Sequence, residues 1–309
     1  MEKFIFSSLK IFFWIFVGII IKLILAKLKT KYINHFINYA INFIIFGIVP
    51  YFTGVNLWKY GLKKEALISI LPVFAIVVLT SYCLTNYITK NYDFSFKEVF
   101  FPLTFMNTLY LGIPVTEYFV SSEATYYTII YSVIVTVFKF TFGIYIIKKK
   151  FNILDLKFYL IIYVFLIAFL LNKTSIKIPK LMEEIHLSFS PFISPLMLCY
   201  IGYSLKWNDL ISNIRLHIFI NLLKVIIIFI SGIALLYIIN SIYTLDCRLF
   251  KSVILTSILP SAIINYLILE KMNIKTSFTL GEIFWGTAIV LFLLPYLSEI
   301  LEIVLLILK

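Results

Sequence analysis

The residues of this chain that could do chemistry lie inside apolar runs. Asn107-Thr108-Leu109-Tyr110-Leu111-Gly112-Ile113-Pro114 sets two hydrogen-bonding side chains, a glycine and a proline in one greasy stretch. Proline lacks an N–H and clashes with the preceding turn, and glycine relaxes the backbone, so together they break a helix. Thr256-Ser257-Ile258-Leu259-Pro260-Ser261-Ala262 repeats the device, with Asn265 close behind. In a bilayer, backbone groups freed by a break are tolerated only where protein or a water-lined cavity satisfies them. If Pro114 and Pro260 each open a second half-helix, two positive helix ends converge and make an electrostatic trap for an anion. Ordinary proline kinks are the plainer alternative.

Charged residues inside the runs come next. Lys139 and Lys224 lie eight or more residues from the ends of their apolar stretches, or roughly 12 Å along a helix, at the limit of snorkelling. An intramembrane ionisable group is a functional candidate by default; each lysine would attract a carboxylate or pair with an acid. Glu117, one turn past Pro114, is the best-placed carboxylate for coupling to a cation or proton, with Lys139 a second candidate for coupling. Glu270 and Glu282 read as interfacial. His35, His186 and His217 stand isolated, and Cys83, Cys199 and Cys247 are scattered without a CxxC. Neither a disulfide framework nor a metal site follows from them. No nucleophile elbow, P-loop or GxGxxG stands in a credible context, so the expectation is a protein that is not an enzyme and carries no cofactor.

The elements that must position these residues are membrane spans. The chain is 62% hydrophobic and 14% charged, with a mean hydropathy of +1.02, against roughly 45–50% and about 25% in soluble domains. Runs of about 20 apolar residues span a bilayer. Ten are expected, at 4–26, 33–53, 66–88, 98–120, 125–147, 157–172, 188–205, 216–239, 250–270 and 279–308. The fold class is therefore all-α and polytopic, with the whole chain as membrane domain and the first run uncleaved. The net charge of +12 sits at the ends of the runs, where it orients the bundle rather than binding nucleic acid. Lys148, Lys149 and Lys150 in the central loop put both termini outside. Split there, residues 1–150 and 151–309 give two five-helix halves of opposite topology. Pro50 and Pro195 recur at nearly the same offset as Pro114 and Pro260, as an inverted repeat would leave them.

The 107–114 stretch resembles the NTGFLGLP signature of the auxin efflux carrier family, which includes bacterial malate-type permeases. Pro195-Leu196-Met197-Leu198 with Gly202 and Leu205 resembles that family's PLALxxxGxxL, and Pro260-Ser261-Ala262 with Glu270 its P-x-A…E pattern. Lys224 and Pro50 fall where the family has a lysine and a proline. The chain departs at Ile264, where the family has asparagine; Asn265 is one position late, and Asn273 replaces a usual glycine. The resemblance implies a scaffold of spans 1, 2, 6 and 7 and a moving domain of spans 3–5 and 8–10. It further implies a small-carboxylate site at the crossing of spans 4 and 9, formed by Asn107, Thr108, Gly112, Pro114, Pro260, Ser261, Asn265 and Lys224. A homodimer in lipid, in a bacterial inner membrane, goes with it, as does elevator-like alternating access. A sodium-coupled symporter of the related bile-acid type and a non-transporting sensor or subunit remain as alternatives.

Overall fold

A computed structural model describes residues 13–25, 39–40, 42–148, 156–174, 176–204 and 213–307. Lys27, Lys29, Lys31, Lys149, Lys150 and Leu205 lie outside the described residues. Among these residues no strand forms; the one extended pairing is an isolated antiparallel bridge between Met106 and Ser261. The protein is all-α. Four helices, Lys64–Asn91, Thr125–Lys148, Ile214–Ile242 and Ser277–Leu306, are long and apolar enough to cross a membrane.

The helices follow in order. They are α1 Phe13–Leu25, a π turn Ile44–Ile48 running into α2 Val49–Tyr60, α3 Lys64–Asn91, α4 Phe96–Thr104 and α5 Gly112–Phe119. Next come α6 Thr125–Lys148, α7 Leu156–Lys173, α8 Lys180–Ser204 and α9 Ile214–Ile242. The last are α10 Cys247–Ser257, α11 Ile263–Lys271 and α12 Ser277–Ile307. The runs expected at 98–120 and 250–270 are each interrupted, as α4/α5 and α10/α11. The run expected to begin at 188 begins at Lys180, where the Lys59–Glu183 ion pair (2.6 Å) ties the polar start of α8 to the end of α2.

Local chemistry explains where the interrupted helices start and stop. Ser95 and Glu98 form a capping box that starts α4, the Ser95 amide donating to Glu98 Oε2 at 2.8 Å. Asp246 caps α10 by accepting from the Arg248 amide at 2.8 Å. The residue before a proline is pushed out of the α region, and Leu259 accordingly leaves the helix ahead of Pro260.

The two prolines do not open the second half-helices as expected. Pro114 is the third residue of α5, behind a turn built by Asn107 and Leu109, and Pro260 stays in the extended link before α11. The Gly112 amide donates to the Asn107 carbonyl (3.1 Å) and the Ile113 amide to that of Leu109 (3.3 Å). The start of α5 is therefore internally satisfied, and the anticipated trap has one helix end rather than two.

One large apolar core joins α3, α4, α6 and α9 to α12. Lys97 on α4 donates to the Ile147 carbonyl, capping the end of α6. Buried hydroxyls stitch α6 to both interrupted helices. Thr128 lies 2.6 Å from Thr116 of α5 and 3.2 Å from Thr256 of α10, and Tyr131 lies 2.9 Å from Ser257.

Candidate functional site

The two interruptions meet. The Asn107 amide donates to the Pro260 carbonyl at 2.8 Å, and the Ala262 amide to the Phe105 carbonyl at 3.0 Å. Asn265 adds a side-chain bond to the same Phe105 carbonyl at 2.5 Å and a second to Ser261 Oγ at 3.0 Å. Main-chain groups that a break would leave bare in an apolar interior are thus paired across the crossing.

A cavity of about 40 Å³ opens beside this crossing. Its walls come from α2 (Val49, Thr53), the α4–α5 link (Met106 to Tyr110), α6 (Ser132, Thr136, Lys139) and the start of α11 (Ala262 to Ile264). Lys139 is 3% exposed. Its Nζ lies 5.9 Å from the centre of the Phe105 ring, and it has no hydrogen bond or ion pair among the described residues. The π turn Lys139–Gly143 within α6 begins at this lysine; such turns insert a residue and re-aim side chains. The Ile263 and Ile264 amides, first in α11, find no acceptor among the described residues, and orphan amides at a helix start favour an anion. One buried lysine, one helix N-terminus, Asn107 and three hydroxyl-bearing residues at 108, 132 and 136 therefore line a space. Water occupies about 30 Å³ in the liquid, so the space admits one carboxylate head or one water, not a whole dicarboxylate.

Neither a family model nor a curated protein matches the chain. The site therefore rests on its own geometry.

Of the expected site residues, Asn107, Thr108 and Lys139 line the cavity. Pro260, Ser261 and Asn265 build the crossing without facing the cavity, and Ile264 lines it in place of Asn265. Gly112 is buried where an added Cβ would meet Thr128 Cγ2 at 2.9 Å and Leu259 Cδ1 at 3.2 Å, so its role is to let α5 lie against α6 and α10. Pro114 and Glu117 are exposed, and Glu117 accepts a long bond (3.5 Å) from Ser122. One turn past Pro114 rotates Glu117 away from the crossing, because α5 starts two residues before that proline.

Lys224 is 1% exposed but stands apart from the cavity, on the α9 face that meets α12. There the expectations for Glu282 and His217 need correcting. Glu282 is 0% exposed rather than interfacial. Its Oε2 accepts from Asn221 Nδ2 at 3.0 Å and lies 3.3 Å from His217 Nδ1, so that histidine is not isolated. The helical spacing of 217, 221 and 224 was the available signal; it puts all three on one face, and Glu282 sits opposite. A second, larger cavity of about 680 Å³ between the π turn, α2 and α8 is lined by Phe43, Ile44, Phe52, Phe189 and other apolar side chains and gathers none of the candidate residues.

Proposed function

We propose that the chain is a secondary carrier of small organic anions, mono- or dicarboxylates, and not an enzyme. One observation carries this reading. Lys139, buried with no hydrogen bond or ion pair among the described residues, lines a cavity at the meeting point of two interrupted helices, together with the start of α11. A buried cation costs several kcal/mol unless it is paired, and a bound carboxylate is the pairing that the cavity accommodates. The small volume holds the carboxylate head, and the remainder of the substrate requires the walls to part.

The wider architecture belongs to the same proposal. Ten spans arranged as two inverted repeats, 1–150 and 151–309, place the interrupted helices in equivalent positions. A moving domain of spans 3–5 and 8–10 slides against a scaffold of spans 1, 2, 6 and 7, and carries the site across the membrane. The resemblance to the auxin efflux carrier family points the same way, with a bacterial inner membrane, outward termini and a scaffold-mediated homodimer. The membrane potential, worth roughly 2.3 kcal/mol per charge per 100 mV, suffices for modest export.

The test is thermal stabilisation of the purified protein by acetate, lactate and succinate, with and without sodium. Stabilisation by at least one of them, lost in Lys139→Met and in Asn107→Ala, is the expected result. Stabilisation that requires sodium would move the reading to a sodium-coupled symporter. No stabilisation, with no counterflow of labelled succinate in proteoliposomes, would overturn the carrier reading in favour of a sensor or subunit.

A further inference from the structure

Behind the crossing, two buried atoms of opposite character each lack a partner among the described residues, Lys224 Nζ on α9 an acceptor and Glu282 Oε1 on α12 a donor. Both side chains are sealed from solvent, at 1% and 0% exposure. They belong to one cluster. His217, Asn221 and Lys224 follow one face of α9, and Glu282 of α12 is bonded to that face through Asn221. The other carboxylate oxygen, Oε2, is already held by Asn221 and His217. Asn221 is itself fixed by donating to the His217 carbonyl at 2.8 Å.

Among the described residues, no other charge enters the cluster. The buried residues of α3, which packs along α9, include no charged side chain. On α4, Glu98 is occupied by its cap. On α10, Arg248 pairs with Asp246 and Glu123, and Lys251 with Glu302. Glu270 of α11 accepts from Tyr200 and Tyr266.

We propose that Lys224 and Glu282 form a proton-exchange site that loads and releases one proton as the carrier cycles. In the released form Lys224 is a neutral amine, and its Nζ and Glu282 Oε1 stay unpaired as they are here. On loading, a proton adds to the Nζ lone pair, an N–H bond forms, and the ammonium closes onto Glu282 Oε1. That contact satisfies both vacant atoms at once. The other oxygen, Oε2, keeps its bond from Asn221 and its contact with His217. Release breaks the same N–H bond and returns the proton to water.

The cluster also has a mechanical path to the anion site. At Gly286, one turn beyond Glu282, a Cβ would meet Asn221 Oδ1 at 2.7 Å and Pro260 Cβ at 3.1 Å. α12 therefore touches the cluster and the crossing through one residue, and Pro260 bonds directly to Asn107 of the cavity wall. Closing Lys224 onto Glu282 shifts the α9–α12 contact that braces the crossing.

The coupling half of this inference rests on the carrier reading; the proton exchange itself does not. The full-length protein in nanodiscs, with lysine labelled at Cε, is followed by NMR against pH. One buried lysine resonance should convert between amine and ammonium within the physiological pH range. It should vanish in Lys224→Met, and its midpoint should move by about one pH unit or more, roughly tenfold in proton affinity, in Glu282→Gln. A Lys224 resonance that stays in one form throughout, or a midpoint unmoved in Glu282→Gln, would overturn the proposal. Should one variant fail to fold, the other and the wild-type titration still decide. In proteoliposomes containing a pH dye, succinate flux by the wild type should move protons, and flux by Lys224→Met should not. Equal proton movement by both sinks the coupling. Absence of succinate flux in the wild type counts against the carrier reading alone, because the NMR titration is independent of it.

Discussion

At the scale of single residues, the site is a set of imbalances that a ligand would correct. Replacing Lys139 by methionine removes a buried amine without hydrogen bonds and keeps its volume. Lys139→Met should therefore unfold at the same temperature as the wild type or higher, yet lose at least tenfold in carboxylate affinity, about 1.4 kcal/mol. Thermal melts with and without succinate check both halves of that statement. Asn265 behaves differently, because its bonds build the crossing. Its Oδ1 is unpaired among the described residues, and the Ala262 amide still serves the Phe105 carbonyl without it. Asn265→Ala should thus cost only about 1 kcal/mol, read as a modest fall in melting temperature. Residue types alone singled out Asn107 and Thr108 as substrate contacts and Lys139 as a coupling candidate, and all three line the cavity. They misplaced Glu282, since nothing in a lone glutamate early in an apolar helix tells whether solvent or a neighbouring helix faces it.

At the scale of elements, the interrupted helices are fixed at their outer ends by caps and at their inner ends by each other. Asp246 both caps α10 and receives Tyr127 Oη (3.2 Å) and Arg248. Partial burial pushes its carboxyl up, but the bonds from Arg248 and Tyr127 outweigh that and hold it below the usual aspartate range. A carboxyl held low in the folded state contributes stability that is complete above the ordinary aspartate range and fades as pH falls through that range and below it. Asp246→Ala should cost about 1 kcal/mol at neutral pH, and the difference from wild type should shrink in acid; melting temperatures across pH measure it. Gly286 on α12 makes a sharper test. Alanine in a helix interior is ordinarily favoured over glycine by about 1 kcal/mol, yet here its Cβ would press on Asn221 and Pro260. Gly286→Ala should lower the melting temperature, against propensity. The existence and approximate extent of α3, α6, α9 and α12 were legible from apolar runs. The inner ends of α4 and α10 were not, because a proline marks where a helix cannot continue and does not mark the residue at which the chain turns. That choice is made by the partner strand of backbone across the crossing.

At the scale of the whole molecule, the all-α class and membrane character follow from composition, since so apolar a chain cannot hide its surface in one water-soluble core. The meeting of 105–107 with 260–262 could be anticipated only from the paired proline breaks, and its detail, one helix end and one lysine instead of two helix ends, depends on packing that no spacing encodes. The proposed division into 1–150 and 151–309 predicts that the two pieces, co-expressed as separate chains, associate in the membrane and recover succinate-induced stabilisation. Either piece alone should be recovered at low yield, as measured by tag pull-down and immunoblot. The crossing also has a consequence in time. The Phe105 carbonyl and the Asn265 amide that completes it lie 160 residues apart. At roughly 5–20 residues per second, the ribosome needs roughly 8–32 s to deliver the second after the first. Throughout that interval the nascent chain holds the α4–α5 link with its main chain unmatched, so the bridge forms only after residue 265 has been made.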